Sequence, residues 1–413
     1  MHIESQASQD QAQSSRLTGF YKLAREEKLA RLSGFAGLGA DETATLSQGL
    51  DYELANTFVE NAIGSYSIPL GVATNFRVNG EDVLVPMAVE ESSVIAAASN
   101  AARLVYQNGG FSAVTVSELM IGQIQLLDIP VEGLENAAAL ILAHKEKILG
   151  LARETHPGLV ARGGGAKDIE IKIHPEADFP QLVVHLLIDC CEAMGANLVN
   201  TTCERLSQHL ARLTNARAGL RILSNLADRR VYRAQVQIEQ DTLMTKTSSG
   251  VFEGEEVARR IVEAYRFADV DTHRACTHNK GIMNGVDPVV IATGNDWRAV
   301  EAGAHAYAAR TGRYRSLTRW ARVGTQLVGD IELPMQLGVV GGVTRLHPGA
   351  ALSLRLMKNP DVNRLSQIIC CAGLASNFSA LRALVTSGIQ EGHMRLHSSN
   401  LALSKSILNE KRA

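Results

Sequence analysis

One lysine and one aspartate stand at the two ends of a short apolar run. The stretch reads Thr277-His278-Asn279-Lys280-Gly281-Ile282-Met283-Asn284-Gly285-Val286-Asp287-Pro288, then the apolar residues 289–293, then Gly294-Asn295-Asp296-Trp297-Arg298. The pattern predicts a polar loop, a buried strand and a second polar loop, with an alanine-rich helix following over about 298–310. Loops beside buried elements often hold active-site groups. A lysine held there is suited to stabilising an anionic oxygen, and a carboxylate beside it can fix its position. Ordinary readings compete. Most loop lysines are solvated, and an aspartate before a helix is most often its N-cap.

Elements elsewhere must position this pair. Residues 16–60 have helical periodicity, with Gly34, Gly37 and Gly39 as breaks. Apolar runs at 68–76 and 83–89 flank Asn79-Gly80, a hairpin signal. Glu90-Glu91-Ser92-Ser93 then opens a helix over 94–106 that stops at Gly109-Gly110. The helix dipole favours carboxylates at such an opening, so Glu91 also has an ordinary explanation. From 119 the order becomes strand 121–129, helix 131–154 ended by Pro157, strands 168–174 and 182–189, helix 195–214 and strand 220–223. That is the β-α-β-β-α-β signature of a ferredoxin-like unit. The expected fold class is α+β. A large domain is formed by 1–118 and 228–388, a small domain at 119–227 is inserted into it, and a terminal flap spans 389–413. Within 228–388, a strand is expected at 231–239, a helix at 255–267, strand-like chain at 326–343, and helices at 349–357, 361–371 and 373–387.

Composition points to an ordinary folded protein. Of 413 residues, 46% are hydrophobic and 20% charged, and the net charge is -2. Neither a nucleic-acid nor an anionic-membrane partner is suggested. No spanning helix is expected, and residues 1–15 read as a disordered polar tail without a signal-peptide core. The six cysteines form no Cys-x-x-Cys, so neither disulfides nor a zinc site is suggested, and a reduced cytoplasmic setting is expected. No Gly-x-Gly-x-x-Gly follows a strand, and Gly163-Gly164-Gly165 leads into a strand instead of a helix. Glu192-Ala193-Met194-Gly195-Ala196-Asn197 does join a strand to a helix, whose N-terminus suits a pyrophosphate.

Several motifs follow one another in a fixed order: Glu60-Asn61-Ala62-Ile63-Gly64, Pro86-Met87-Ala88-Val89-Glu90-Glu91, Glu192 to Asn197, and Arg221-Ile222-Leu223-Ser224-Asn225-Leu226-Ala227-Asp228. The Lys280 and Asp296 stretch comes next, and Gly392-His393-Met394 ends the series. Together they resemble the 3-hydroxy-3-methylglutaryl-coenzyme A (HMG-CoA) reductases, the bacterial and archaeal class II type most closely, over nearly all the chain after Arg16. The resemblance implies reduction of HMG-CoA to mevalonate and free coenzyme A by two hydrides from NADPH or NADH, without a metal. It implies catalytic roles for Glu91, Lys280, Asp296 and His393. Lys280 would stabilise the anionic tetrahedral centre, Asp296 would fix it, His393 would protonate the departing thiolate, and Glu91 would protonate the aldehyde oxygen. Ser93, Arg274, Asn284 and Asn61 would contact the substrate, with Arg274 on its carboxylate. Glu192, Met194, Gly195, Asn197, Asn225 and His156 would bind the nicotinamide cofactor in the small domain. A homodimer or an assembly of dimers is implied, with Glu91 and Lys280 near the subunit interface. His278, His305, His347 and His397 match no catalytic position.

Two positions set this chain apart. Glu192 stands where the family has Asp. His156 stands where NAD-using members carry an acid, and Arg153, Arg162 and Lys167 are close in sequence, a composition that suits a 2'-phosphate and hence NADPH. The segment after Gly388 is also shorter than the family's helical lid. Alternatives are NAD-dependent mevalonate oxidation on the same fold, a ligand-binding relative without catalysis, and an unrelated ferredoxin-like module on a helical scaffold. The presence of all four catalytic residue types argues against the second.

Overall fold

The computed structural model describes residues 14–45, 50–247, 250–386 and 388. The chain opens with helices α1 (Arg25–Ala36), α2 (Ala40–Thr45) and α3 (Tyr52–Phe58). Gly37, at φ 64, ends α1 in a left-handed cap, whereas Gly34 lies inside the helix and does not break it. Of the segment expected to be a disordered tail, residues 1–13 lie outside the described residues. Ser15 is fully buried, donating its Oγ to Phe76 O (2.8 Å) and its N–H to Asp82 Oδ2 (2.9 Å). The hairpin β1 (Leu70–Val78) and β2 (Glu81–Ala88) turns on Asn79-Gly80 at φ 52 and 82, both positive as a type I′ turn requires. Helix α4 (Val94–Gln107) follows.

Strand β3 (Ser112–Leu127) begins well before the predicted 121. After it come α5 (Leu134–Ala143), α6 (Lys145–Arg153) and α7 (Pro157–Val160), so the helix expected over 131–154 is broken at His144. Strands β4 (Gly165–His174) and β5 (Gln181–Asp189), helix α8 (Ala196–Thr214) and strand β6 (Arg217–Leu223) complete this section. Helix α8 is amphipathic, burying Val199, Cys203, Leu206 and Leu210 on one face. The remaining strands are β7 (Arg230–Glu239), β8 (Thr245–Thr247), β9 (Gly250–Phe252), β10 (Thr318–Val323) and β11 (Gln326–Pro334). The remaining helices are α9 (Gly254–Val270), α10 (Thr272–Ala292), α11 (Trp297–Ala308), α12 (Gly342–Leu346), α13 (Pro348–Leu356) and α14 (Val362–Val385).

The long strand β3 changes partners along its length. Up to Glu118 it pairs with β7, and from Leu119 onward it pairs with β5 on one side and β6 on the other. One seven-stranded sheet results, in the order β10-β11-β7-β3-β5-β4 with β6 also on β3. The order β6-β3-β5-β4, antiparallel throughout, is the ferredoxin-like arrangement. Two buried clusters lie along the sheet. One gathers Ile124, Ile148, Val184, Leu206 and Leu210; the other gathers Tyr232, Val286, Ile331, Leu374 and Phe378.

Two predicted boundaries fail for one physical reason. Residues 289–293 form no strand. Helix α10 runs unbroken from Thr272 through Ala292, with Pro288 inside it. Residues 361–371 and 373–387 are likewise not two helices, because α14 is continuous. The glycines that looked like breaks bring these helices together. A Cβ on Gly285 would lie 2.3 Å from Ala372 O, and one on Gly373 would lie 2.9 Å from Val286. By length and composition alone α14 is apolar enough to cross a membrane. In the fold, 67% of that apolar window is buried, and α14 contacts α10, α4 and β7.

Candidate active site

Lys280 lies on helix α10, not on a loop. The helix opens on Asp271, whose side chain accepts from Arg274 N (2.7 Å). The turn carrying Lys280 is fixed from behind. His278 is 2% exposed, with Nε2 2.7 Å from Thr318 Oγ1, and burial pushes its pKa down to about 3. Asn279 donates to Arg315 O (2.8 Å) and accepts from Leu317 N (3.0 Å). With those side chains turned inward, Lys280 is exposed, and its Nζ lies 2.9 Å from Glu91 Oε2. Asn284, one turn further, is partly exposed. Pro288, four residues beyond, has no N–H to give the Asn284 carbonyl.

Glu91 sits in the turn before α4, which Ser93 enters at φ 78. Ser93 Oγ is buried with no hydrogen-bond partner. The half-buried Arg274 has its pKa lowered by burial, and among the described residues nothing hydrogen-bonds its guanidinium. An orphaned hydroxyl and a free guanidinium near the Lys280–Glu91 pair in sequence fit an anionic, oxygen-rich ligand.

Two sequence candidates are not drawn into this cluster. Asp296 N-caps α11, accepting from Arg298 N (3.0 Å) and Ala299 N (3.2 Å), with the Arg298 guanidinium 3.2 Å away. No hydrogen bond or ion pair joins it to Lys280 among the described residues. Asn61, at φ 58, lies on an exposed segment. His393 and His397 lie outside the described residues.

The second candidate region is the turn before α8. Gly195 is the N-cap at φ 103, and it offers the helix no side-chain cap. A Cβ there would meet Cys190 Sγ at 2.3 Å, and one on Gly338 would meet Met194 N at 2.6 Å. Both glycines are buried and let the chain pack closely at this turn, beside a helix start with no side-chain cap, a feature that fits a pyrophosphate. The Glu192 carboxylate points elsewhere, accepting from Val362 N at the start of α14 (2.9 Å), while Glu192 O accepts from Val339 N (2.9 Å). Asn197 is exposed on the first turn of α8. The Asn225 carbonyl accepts from Gln336 Nε2 (3.1 Å). His156 Nε2 lies 3.2 Å from Leu198 O. Arg153 donates to Ala166 O (3.0 Å) and the exposed Lys167 to Gly163 O, while the exposed Arg162 guanidinium makes no hydrogen bond among the described residues.

Two features escaped the sequence reading. Arg230 is wholly buried beneath the Glu192–Gly195 turn. Between α10 and α11, the Asp287 carboxyl, whose Oδ1 is buried without a partner, lies close to Glu301, which pairs with His305 Nε2 (2.5 Å); His305 Nδ1 in turn meets Tyr314 OH (2.7 Å). Burial first, then Glu301, raises Asp287 to about 9. The only clues were an acid within an apolar run and a Glu301/His305 pair at helical spacing.

Comparison with known proteins agrees over most of the chain. The family described as hydroxymethylglutaryl-coenzyme A reductase matches residues 24–398. The chain is 48% identical over 396 residues to 3-hydroxy-3-methylglutaryl-coenzyme A reductase of Archaeoglobus fulgidus, covering 95% of this chain and 88% of that protein. It is 34% identical to a probable reductase of Borreliella burgdorferi, covering 82% and 76%. Among solved structures, a reductase from Streptococcus pneumoniae superposes with a TM-score of 0.85 at 40% identity, covering 94% of this chain and 91% of that one. A class II reductase structure from the same organism, bound to NADPH in open conformations, gives a TM-score of 0.84 at 40% identity, with coverage of 89% and 99%. With the fold, the ordered motifs and these matches in agreement, the chain belongs to the hydroxymethylglutaryl-coenzyme A reductase family.

Proposed function

We propose that the chain reduces HMG-CoA to mevalonate and free coenzyme A, and that Lys280 and Glu91 stand at the centre of its active site. The observation that carries this is the 2.9 Å contact between Lys280 Nζ and Glu91 Oε2, which joins motifs 189 positions apart. The cofactor, NADPH or NADH, supplies the two hydrides. The chain's own residues manage charge and protons. Lys280 faces the carbonyl oxygen and stabilises the negative charge that develops there in both reductions. Arg274 takes the substrate carboxylate, and Ser93 and Asn284 orient the HMG group. The thiolate that leaves after the first reduction takes its proton from His393. Glu91 delivers a proton to the aldehyde oxygen. To do so it must hold one, and closure of Asp296 onto the pair would favour that by charge repulsion.

Around this site, 119–227 is an inserted cofactor domain, with 1–118 and 228–388 forming the substrate domain and 389–413 the flap. The turn from Glu192 to Asn197 takes the pyrophosphate, with Asn225 and His156 at its margins, and Arg162 favours NADPH. The working form is at least a dimer. Next to Asn61, a single chain leaves Ile63 101% and Tyr66 94% exposed, apolar side chains that a second copy would cover. Sedimentation should show no monomer in the active fraction; a fully active monomer removes this part of the reading. A cytoplasmic setting belongs to the same reading, supported by six cysteines with no Cys-x-x-Cys spacing. The deciding experiment follows loss of reduced-nicotinamide absorbance with HMG-CoA and each cofactor in turn. Turnover dependent on HMG-CoA and faster with NADPH is expected, and the reading fails if neither cofactor is oxidised.

A further inference from the structure

Arg230 is 1% exposed and heads the large side chains that the fold buries completely. Nη1 donates to Ala193 O (3.2 Å) and Met194 O (3.1 Å), and Nη2 to Cys191 O (3.5 Å). Its Nε is buried without a partner. No carboxylate forms an ion pair with it among the described residues. The acids beside it in sequence or at the turn are committed elsewhere: Asp228 to Arg229 (3.5 Å), Glu192 to Val362 N (2.9 Å), and Asp189 to Cys191 N (2.8 Å) with Lys167 at 4.0 Å. A buried cation met only by carbonyl dipoles is costly, and a well-packed apolar side chain would serve stability as well.

The arrangement has two consequences for the turn. In a trans peptide the C=O and the following N–H point in opposite directions. Carbonyls 191, 193 and 194 are drawn to the guanidinium, so the N–H groups of Glu192, Met194 and Gly195 are aimed away from it. The unbalanced positive charge also lies behind the uncapped start of α8, adding to the helix dipole. We propose that Arg230 is a positioning residue for the nicotinamide dinucleotide: it fixes the Glu192–Gly195 turn with its N–H groups turned away from the guanidinium and supplies the buried charge that draws the pyrophosphate. The proposal rests on the reading of this turn as the cofactor site.

The test uses the full chain and two probes. NADP+ carries the pyrophosphate, whereas adenosine 2'-monophosphate lacks it. Arg230→Met removes charge and fork; Arg230→Lys keeps a buried charge but cannot reach three carbonyls. Calorimetric titration should show NADP+ affinity falling ~10-fold or more in the Met variant and less in the Lys variant. Adenosine 2'-monophosphate affinity, KM for HMG-CoA and kcat at saturating NADPH should stay within about twofold. If the Met variant does not fold, the Lys variant decides alone. A folded Lys variant with wild-type NADP+ affinity overturns the proposal, as does an equal loss for both probes and HMG-CoA. Asn197→Asp separates the two levels of argument by placing a negative charge on the exposed first turn of α8. If it leaves NADP+ binding unchanged, the assignment of the turn itself has failed. If it weakens binding while both Arg230 variants bind normally, only the role of Arg230 has failed.

Discussion

The turn before α8 and the cluster at Lys280 are built in opposite ways. The turn is fastened on several sides: Arg230 holds three of its carbonyls, and Glu192 bonds the start of α14 through its side chain and Val339 through its backbone. Its geometry is complete without a ligand. Among the described residues, the Lys280 cluster is one ion pair between two accessible side chains, with Asp296 turned to its own helix and Ser93 Oγ and the Arg274 guanidinium lacking partners. The lesson concerns when each site is finished. A pyrophosphate is the same anion throughout the reaction, so a fixed cradle suits it. The substrate carbonyl gains charge, loses a thiolate and gains charge again, so groups around it must change partners. On the proposed reading, it is substrate binding that completes that second site.

The strongest test of this contrast is Lys280→Ala. Lys280 is exposed on a helix braced by His278 and Asn279, so alanine leaves the packing intact and raises helix propensity. Turnover should fall by ~10³-fold or more while the melting temperature stays at the wild-type value. A variant that retains tens of per cent of the activity would remove Lys280 from the oxyanion role and make the ion pair a surface contact.

Asp296 gives the sharper comparison, because its two readings make different demands on one side chain. Asparagine caps helices as well as aspartate does. In Asp296→Asn the hydrogen bonds to Arg298 N and Ala299 N survive and the charge is lost. If Asp296 is only the cap of α11, kcat is unchanged. If it swings toward Lys280 and Glu91 as the site closes, kcat falls ~10²-fold with the melting temperature unchanged. The second outcome is expected.

Sequence legibility follows the same division. The Asn79-Gly80 hairpin, the alternating strands β4 and β7 and the amphipathic α8 could be read because their signals are local. The Asp296 cap was visible for the same reason. Helix α10 was hidden because Gly281, Gly285 and Pro288 look like loop punctuation. Their reason lies on another helix: Gly285 abuts Ala372, and the Gly281 carbonyl accepts from Ser376 Oγ (2.8 Å). Strand β10 went unpredicted because only Thr318 and Trp320 face inward among arginines. Nor does residue type separate Arg230 from Arg229. The former is buried on three carbonyls, while the latter reaches Glu170 at 3.0 Å on the surface. Local periodicity reveals elements, but which buried polar group meets which backbone is decided across the fold.

The smallest expected effect tests whether anything holds the two helices of the open site in register. Asp287 on α10 and Glu301 on α11 can hydrogen-bond carboxyl to carboxyl only if one carries a proton. Burial first, then Glu301, raises Asp287 from 3.8 to about 9, so the proton stays there at neutral pH. The hydrogen bond to Glu301 raises His305 above 6.5, and the hydrogen bond to His305 lowers Glu301 below 4.5. The sign follows from linkage. For Asp287 the folded pKa exceeds the unfolded value, so its stabilisation is complete below about 3.8 and is lost as pH rises toward about 9. His305 contributes in the same direction above 6.5, whereas the Glu301 contribution is lost only in acid, below 4.5. Wild-type stability should therefore decline from neutral pH into alkali. Asp287→Asn keeps a neutral donor toward Glu301 and removes one of the two titrations behind that decline. Its melting temperature should match the wild type near pH 3.8 and exceed it by a margin that grows with pH, reaching at least roughly 2–4 °C near the upper end of the window. If asparagine lowers the melting temperature equally across the range, the carboxylate is needed as a charge. No shared proton then braces the helices that carry Lys280 and Asp296.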